Sequence, residues 1–305
     1  MMEESYGKNK SPRRKETVER EEEDAEPNQK RKRIPEIRFA YVSSVGWLPL
    51  VENDERLEQV GRHLARTYRG EFSVSTGFDA SFIRRLTYYG FLPMSLYSTA
   101  GNILTPKMHQ RRCVLCFNAL HIPKKVKKQC KLYYMTTNQC FRAVVDLCNQ
   151  QHGEHSWLCK ELVDSFLEIY NSSRKEEIGR VPERAKDEIS CRMHSIELWS
   201  KNGDLVAGEI GYTVGRCYTS LSGFRTEDSS GTIQCVATAR FLEEAGFKFW
   251  DLGMALPYKI SLGASTWTRE KFLSELSSAR GDLSRSFKLD KTNARDIIFP
   301  TSSQP

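Results

Sequence analysis

Two apolar segments joined by an Asn-Gly turn constrain the fold of this 305-residue chain more than any other feature. Ser195–Trp199 and Leu205–Tyr212 have the composition of β-strands, and Asn202-Gly203 lies between them. Asn-Gly favours the tight turn in which both central residues have positive φ, and that turn matches the twist of two antiparallel strands. The sequence therefore predicts a β-hairpin over these residues.

Strand and helix patterns lie on both sides of this hairpin. Period-two alternation or short apolar runs predict strands over residues 37–42, 112–117, 216–221 and 248–252. Helical spacing and capping residues predict helices over residues 53–68, 78–86, 140–149, 159–170, 232–244 and 271–278. This order predicts an α+β protein with a mainly antiparallel sheet and helices packed upon it.

Charge and apolar content divide the chain into four parts. Residues 1–36 hold ten Lys or Arg and ten Asp or Glu, and we predict disorder because they cannot bury enough apolar surface to offset their ordering entropy. The cluster Lys30–Arg33 is either a nuclear address or an ordinary basic cluster of a charged tail. We predict a small α/β domain over residues 37–107, a larger domain over 108–280 and a second tail over 281–305.

Composition and missing motifs exclude several classes of protein. No run approaches the roughly 20 apolar residues of a membrane helix, and the first residues lack the apolar region of a secretory signal, so we predict a cytoplasmic protein. The nine cysteines, an odd number, favour reduced thiols over disulfides. Cys113 and Cys116 lie three apart in a predicted strand and hence on opposite faces, which argues against a shared metal ion. Glycine-rich phosphate-binding fingerprints are missing from the sequence, and we expect no cofactor.

The net charge of +7 falls wholly on residues 37–305, because the charges of the first segment cancel. Five lysines fall within eleven residues that contain no acid: Lys124, Lys125, Lys127, Lys128 and Lys131. Such a cluster attracts the phosphates of a nucleic acid by electrostatics and counterion release. The alternative is a solvated, lysine-rich loop.

Asp251 is the most informative carboxylate of the sequence. It follows the apolar run Phe247–Trp250 and comes just before Gly253, at the predicted tip of a strand. A carboxylate at such a tip can face a cleft, where it acts as a base or orients an amine. The alternative is an Asp that begins a turn.

Motifs from residue 84 to residue 276 resemble, in order, those of the leucyl/phenylalanyl-tRNA–protein transferases. The likeness is strongest after Met193. The matching segments are Tyr89–Pro93 for Y-x-x-G-I-F-P, His121–Lys125 for H-I-S-R-S, Ser156–Leu158 for T-W-I, His194–Trp199 for H-S-V-E-V-W, Leu205–Gly211 for L-V-G-G-x-Y-G, Tyr218–Phe224 for F-x-G-E-S-M-F and Ser261–Ala264 for S-L-G-A.

The resemblance implies a GNAT-like fold, that of the acyl-CoA N-acyltransferases, in which aminoacyl-tRNA replaces acetyl-CoA. The implied reaction moves an amino acid from aminoacyl-tRNA to the N-terminal α-amine of an acceptor protein, a tag of the N-degron type. The implied partners are aminoacyl-tRNA and the acceptor's N terminus, with no membrane, and we expect a monomer.

The resemblance also assigns residues to the site. Asp251 matches the family's catalytic aspartate. Trp157 matches a tryptophan near the terminal adenosine of tRNA, with packing in the core as the alternative. The residues that match tRNA contacts are Lys124, Lys125, Lys127 and Lys128. The implied substrate-binding residues are Trp157, Glu209, Tyr218, Ser220, Leu221, Ser222 and Gly253.

The chain departs from the family's pattern at this expected site. Gly253 replaces a Gln, Leu221 replaces a Glu and Met94 replaces a Trp. The site is therefore either rearranged, or it has lost transfer and the protein binds tRNA or a protein N terminus without catalysis. A CoA-dependent acyltransferase is disfavoured because the [QR]-x-x-G-x-[GA] pyrophosphate loop is missing.

Glu209 is a further departure, because the family has a large apolar residue there that lines the amino-acid pocket. A carboxylate in an apolar pocket is costly unless it is paired. We therefore expect Glu209 to contact the substrate's amine, or to shift specificity from Leu and Phe toward a cationic side chain.

Overall fold

A computed structural model of the protein describes residues 36–99, 101–177, 191–281 and 286–300. The strands in these residues are β1 (Phe39–Val42), β2 (Gly46–Pro49), β3 (Ser95–Ser98), β4 (Gly101–Leu104), β5 (Arg111–Leu115), β6 (Tyr133–Thr137), β7 (Cys191–Ser200), β8 (Leu205–Val214), β9 (Cys217–Arg225), β10 (Phe249–Gly253), β11 (Ser265–Thr268) and β12 (Thr292–Asn293). The α-helices are α1 (Leu57–Thr67), α2 (Ala80–Tyr88), α3 (Lys124–Gln129), α4 (Phe141–His152), α5 (Lys160–Glu177), α6 (Ser230–Glu244), α7 (Pro257–Ser261), α8 (Arg269–Arg280) and α9 (Ala294–Ile298).

Eight strands form the central sheet, in the order β11-β5-β10-β9-β8-β7-β6-β12. Its neighbouring strands pair antiparallel except β9 and β10, which run parallel. The predicted hairpin is present as β7 and β8, and Gly203 in its turn has a φ of 91°, which glycine adopts without strain. The remaining strands form the two-stranded ribbons β1–β2 and β3–β4. The prediction of an α+β protein with a mainly antiparallel sheet and flanking helices is confirmed.

Two hydrophobic cores cover the two faces of the sheet. One contains apolar residues of α1, α2, α4, α5 and α8, and the other contains apolar residues of α6 and α9. Consecutive strand residues alternate between them: Phe249 packs in the first core and Trp250 in the second. Cys113 and Cys116 likewise contact different cores, which confirms the prediction that their side chains leave opposite faces.

Each predicted helix and strand is present, with its ends moved along the chain. The elements that the sequence did not predict are short: β2, β3, β4, β6, β11, β12, α3, α7 and α9. The described residues belong to one compact unit. The boundary between residues 107 and 108 stays a prediction, and the segment predicted to be disordered, residues 1–36, lies outside the described residues except for Glu36.

The prediction of a C-terminal tail over residues 281–305 is wrong for the part that the structure describes. Residues 286–300 contain β12, which pairs with β6, and α9, which packs on α6. Phe287 is 4% exposed, and its ring lies 4.0 Å from the ring of His194. Polar residues surround these few apolar anchors in the sequence, so the segment has the composition of a tail although it completes the second core.

None of the helices in the described residues is long and apolar enough to cross a membrane.

Candidate active site

The candidate site lies where the parallel strands β9 and β10 separate. The two strands pair over Cys217–Thr219 and Phe249–Asp251. Beyond that register β9 continues to Arg225 without a further β10 partner among the described residues. The resulting gap opens into a cavity of about 710 Å³, closed on one side by the first turns of α6. This volume is in the range of a pocket that binds a small molecule or the end of a larger ligand.

A β-bulge lies beside this gap. Ile210 of β8 pairs with Ser222, and the next residue, Gly211, pairs with Ser220, so Leu221 is the extra residue of β9. A bulge bends its strand and redirects the side chains that follow it. Ser220, Leu221 and Ser222 all line the cavity.

Most of the predicted substrate-binding residues meet at this cavity. Those that line it are Trp157, Glu209, Ser220, Leu221, Ser222 and Gly253. Tyr218 is fully buried behind the wall, and its hydroxyl donates to Glu209 Oε1 at 3.0 Å. The sequence did not point to several other residues of the lining: Lys107, His109, Gln234, Cys235, Tyr258 and Lys259. Their sequence patterns are those of ordinary loops and helices, so only their position in the structure identifies them as residues of the site.

Glu209 is a buried carboxylate in the cavity wall. It is 6% exposed, and its Oε1 accepts hydrogen bonds from the hydroxyls of Tyr218 and Ser220, at 3.0 and 3.1 Å. The Trp250 indole in turn donates to Ser220 Oγ at 2.8 Å. Burial raises the pKa of Glu209 to about 7, against the opposing effect of these hydrogen bonds. Glu209 can therefore lose or gain a proton, or neutralise a cationic group, near neutral pH.

Asp251 does not line the cavity. It is 0% exposed, and both of its oxygens accept from the Arg112 guanidinium, with Nε to Oδ1 at 2.8 Å and Nη2 to Oδ2 at 2.6 Å. The Thr219 hydroxyl and the Gly253 amide donate to the same carboxylate, at 3.0 and 2.9 Å. The expectation that this carboxylate faces a cleft is therefore wrong for this structure, because alternation along β10 turns it to the face where Arg112 lies. Its catalytic role stays a prediction.

Gly253 ends β10 beside the cavity and has a φ of 68°. This conformation is strained for any residue that carries a side chain. Lys259 holds the same strand end, since its ammonium donates to the carbonyls of Leu252 and Met254, at 2.6 and 3.1 Å. Burial lowers the pKa of Lys259. Together with Asp251, these contacts fix the floor of the cavity.

The predicted tRNA-binding lysines lie on α3, at the edge of the site. Lys124, Lys125, Lys127 and Lys128 are all exposed. Lys125 forms an ion pair with Asp228, and Asp228 lines the cavity. The lysine-rich segment is thus a short helix next to the cavity and not an irregular loop. Its function as a tRNA contact stays a prediction.

The described residues contain no group of three or more His, Cys, Asp or Glu that could hold a metal ion. All nine cysteines lie in the described residues, and none of them is joined in a disulfide.

The model of the family "Leucyl/phenylalanyl-tRNA protein transferase" matches residues 114–277. These residues make up more than half of the chain and include β9, β10 and α6, which form the cavity. The chain therefore belongs to the leucyl/phenylalanyl-tRNA–protein transferase family, as the motifs of its sequence predict.

Three bacterial leucyl/phenylalanyl-tRNA–protein transferases show how far the sequence of this chain has diverged from those of its relatives. That of Maridesulfovibrio salexigens is 25% identical over 211 residues, 68% of this chain and 80% of its own. That of Tolumonas auensis is 27% identical over 213 residues, 68% and 82% of the two chains. That of Citrobacter koseri is 30% identical over 172 residues, 55% and 65% of the two chains.

Among solved structures, that of L-PGS from Bacillus licheniformis covers 79% of this chain and 80% of its own, with 12% identity and a TM-score of 0.34. A likeness at this level adds nothing to the argument about the fold.

Proposed function

We propose that this protein transfers an amino acid from aminoacyl-tRNA to the N-terminal α-amine of an acceptor protein. The observation that carries this proposal is the match to the family over the residues that build the cavity between β9 and β10. The acyl ester of aminoacyl-tRNA is already activated. A site that positions the amine and stabilises the departing ribose oxygen can therefore supply most of the acceleration.

The transferred amino acid is proposed to bind against Glu209, Ser220 and Leu221. A buried carboxylate that already accepts hydrogen bonds from two hydroxyls can also accept hydrogen bonds from an ammonium or a guanidinium. Leucine and phenylalanine side chains offer no such partner. We therefore propose that specificity is shifted toward an amino acid that presents a cation to Glu209.

The tRNA is proposed to bind across the rim formed by Trp157 and α3. Trp157 lines the cavity and is half-buried, so one part of its ring can stack on the terminal adenosine. The lysines of α3 lie beside the same cavity, because Lys125 pairs with Asp228 of its lining, and there they can neutralise backbone phosphates of an acceptor stem. Such contacts read shape and charge and not base sequence.

Asp251 is proposed to act as a positioning residue. Its carboxylate holds the Gly253 amide and the Arg112 guanidinium, and so fixes where β10 ends at the cavity. Gly253 stands where the family has a Gln, so no relay can run through a side chain at this position.

The fold is proposed to be GNAT-like. Support comes from the one parallel pair, β9 and β10, which separates in the middle of an otherwise antiparallel sheet and leaves the cavity at the separation. Acetyl-CoA is not the proposed donor. A thermal shift with acetyl-CoA tests this directly, because a ligand that binds the folded state raises the melting temperature.

The deciding experiment is a transfer assay. Purified protein is incubated with tRNAs charged with labelled Leu, Phe, Met, Arg or Lys and with peptides that begin in Arg or Lys. We expect a peptide longer by one residue, detected by mass spectrometry, and no product from the same peptides with an acetylated N terminus. Binding of charged tRNA without extension of any peptide contradicts the proposal and favours a non-catalytic tRNA-binding protein.

The same assay tests the pocket. In Glu209→Leu, we expect the preference to move toward Leu and Phe, because the variant restores the family's apolar lining. Glu209→Gln keeps the size of the side chain and removes its charge, and serves as the matched control. An amino-acid preference that both variants leave unaltered contradicts the role of Glu209.

A further inference from the structure

A histidine and a glutamate form a dyad in the cavity wall, outside the residues that match the family model. His109 lines the cavity and is 7% exposed, and its Nδ1 lies 3.2 Å from Glu71 Oε2. A hydrogen bond from Nδ1–H to this carboxylate fixes the tautomer, so Nε2 carries the lone pair. Nε2 has no hydrogen-bond partner among the residues that the structure describes.

The loops that carry the dyad are held rigidly. Arg269, itself 2% exposed, donates to the carbonyls of Met108 and His109 on one loop and of Tyr68 and Gly70 on the other. Glu71 Oε1 accepts a hydrogen bond from the backbone amide of Gln110 at 2.8 Å, and this bond is a second connection between the two loops. A group whose position is fixed before the substrate binds loses little entropy when it reacts.

Electrostatics keeps the imidazole neutral. Burial, with the positive charges of Arg112 and Lys107, lowers the pKa of His109 to about 4, against the opposing pull of Glu71 and Asp251. Burial alone raises the pKa of Glu71, but the Gln110 amide, His109 and Lys107 lower it, so Glu71 is a carboxylate. The neutral imidazole has its Nε2 lone pair available for a proton, and the lowered pKa makes it a weaker base than an ordinary histidine, so any proton transfer to Nε2 depends on its position in the cavity and its pairing with Glu71.

We propose that His109 is a catalytic residue of this protein, the base that takes the proton of the attacking α-amine, with Glu71 as its positioning residue. The inference rests on the proposed function. It also supplies a proton acceptor at a site where Leu221 and Gly253 replace polar residues and Asp251 is enclosed.

The step balances without a further reactant. The amine nitrogen bonds to the ester carbonyl carbon, the carbonyl electron pair moves to oxygen, and the amine proton passes to Nε2 of His109. The carbonyl then re-forms, the bond to the ribose oxygen breaks, and this oxygen leaves with its electron pair and takes the proton from Nε2. Peptide and free tRNA are the products, and the imidazole is neutral again.

The test measures single-turnover transfer with the full chain and the tRNA that the wild type uses best. His109→Gln places an amide near the position of Nε2 but cannot take a proton, and we expect the rate to fall by about 10²–10⁴-fold with tRNA affinity retained. His109→Ala is expected to regain rate when imidazole is added to the buffer, which a structural role of His109 does not predict. His63→Gln, on α1 and away from the cavity lining, is the matched control and should transfer at the wild-type rate.

Nitrogen NMR of the wild type tests the dyad independently of activity. We expect the Nδ1–H tautomer of His109 at neutral pH, and a change of tautomer population in Glu71→Gln. An Nε2–H tautomer or a charged imidazole overturns the inference, as does wild-type transfer by folded His109→Gln. If the wild type transfers nothing from any charged tRNA, the proposed function itself is wrong and the role of His109 with it.

Discussion

At the scale of single residues, the pair of Arg112 and Asp251 shows how burial changes the meaning of a motif. A carboxylate at a strand tip, matched to a catalytic residue, becomes one half of an enclosed bidentate ion pair. Removing one partner of such a pair leaves an uncompensated buried charge. An Asp251 variant can therefore lose activity because the protein unfolds or because a group that takes part in the reaction is missing, and an experiment must separate these two causes.

Asp251→Ala and Arg112→Ala provide that separation. We expect each to lower the free energy of unfolding by about 3–5 kcal/mol, because each leaves its partner unpaired. If Asp251 only positions β10, transfer activity falls in parallel with the folded fraction in both variants, measured by urea unfolding and by transfer assay. Loss of transfer in fully folded Asp251→Ala, with transfer kept in fully folded Arg112→Ala, assigns Asp251 a direct part in the chemistry.

Glu209 predicts a pH dependence of stability. Its pKa is about 7 in the folded protein against an ordinary value of 4.5, so the folded state holds a proton that the unfolded state has lost between these pH values. This contribution to stability is fully present below pH 4.5 and is lost as the pH rises through 7.

Glu209→Gln removes that titration. From pH 5 to pH 8 we expect the variant to gain on the order of 1–3 kcal/mol relative to the wild type, measured by unfolding at both pH values. Glu154→Gln, which removes an exposed carboxylate, is the matched control. A constant difference between Glu209→Gln and wild type at the two pH values would contradict the buried, protonated state.

At the scale of elements, residues 286–300 help to build the second core. Phe287 packs against His194, Tyr218 and Phe241, at ring distances of 4.0, 5.0 and 5.2 Å. Tyr218 in turn holds Glu209. The segment therefore supports the cavity wall from behind, through one aromatic contact and one hydrogen bond.

Phe287→Ala tests this support. We expect a loss of about 3–5 kcal/mol in the free energy of unfolding, the usual cost of deleting a buried phenylalanine ring. Phe299→Ala removes the same atoms at a position that is 38% exposed, and should cost less than about 1 kcal/mol. Equal effects of the two substitutions, measured by denaturant unfolding, argue against a buried anchor at Phe287.

At the scale of the whole molecule, the net charge of +7 and the lysines of α3 predict binding that depends strongly on salt. Each phosphate that a lysine neutralises releases a condensed counterion, so affinity falls as the salt concentration rises. The cations of α3 lie beside the cavity, and in the proposed complex their field would guide the end of a tRNA toward the site.

The double variant Lys127→Gln, Lys128→Gln measures this effect. We expect weaker tRNA binding and a plot of log affinity against log salt that is shallower by about 1 for each phosphate that is no longer neutralised. Arg62→Gln removes an exposed cation on α1 and serves as the control for charge alone. An unaltered salt slope in the double variant means that α3 does not bind the tRNA backbone.

The sequence by itself determined the local structure. Strand-type composition and the Asn-Gly pair predicted β7, β8 and the turn between them, and the period-two geometry of a strand predicted that Cys113 and Cys116 leave opposite faces. The order of short motifs predicted the family. These signals are local, because a periodicity or a turn depends only on residues near one another along the chain.

Only the tertiary structure decided the site. Arg112 and Asp251 are 139 positions apart, and they meet because β5 and β10 are neighbours in the sheet. Glu71 and His109 meet because Arg269, on α8, ties their loops together. The cavity exists because β9 and β10 run parallel and then separate. Strand order and long-range contacts follow from how the whole core packs, which no local pattern of residues encodes.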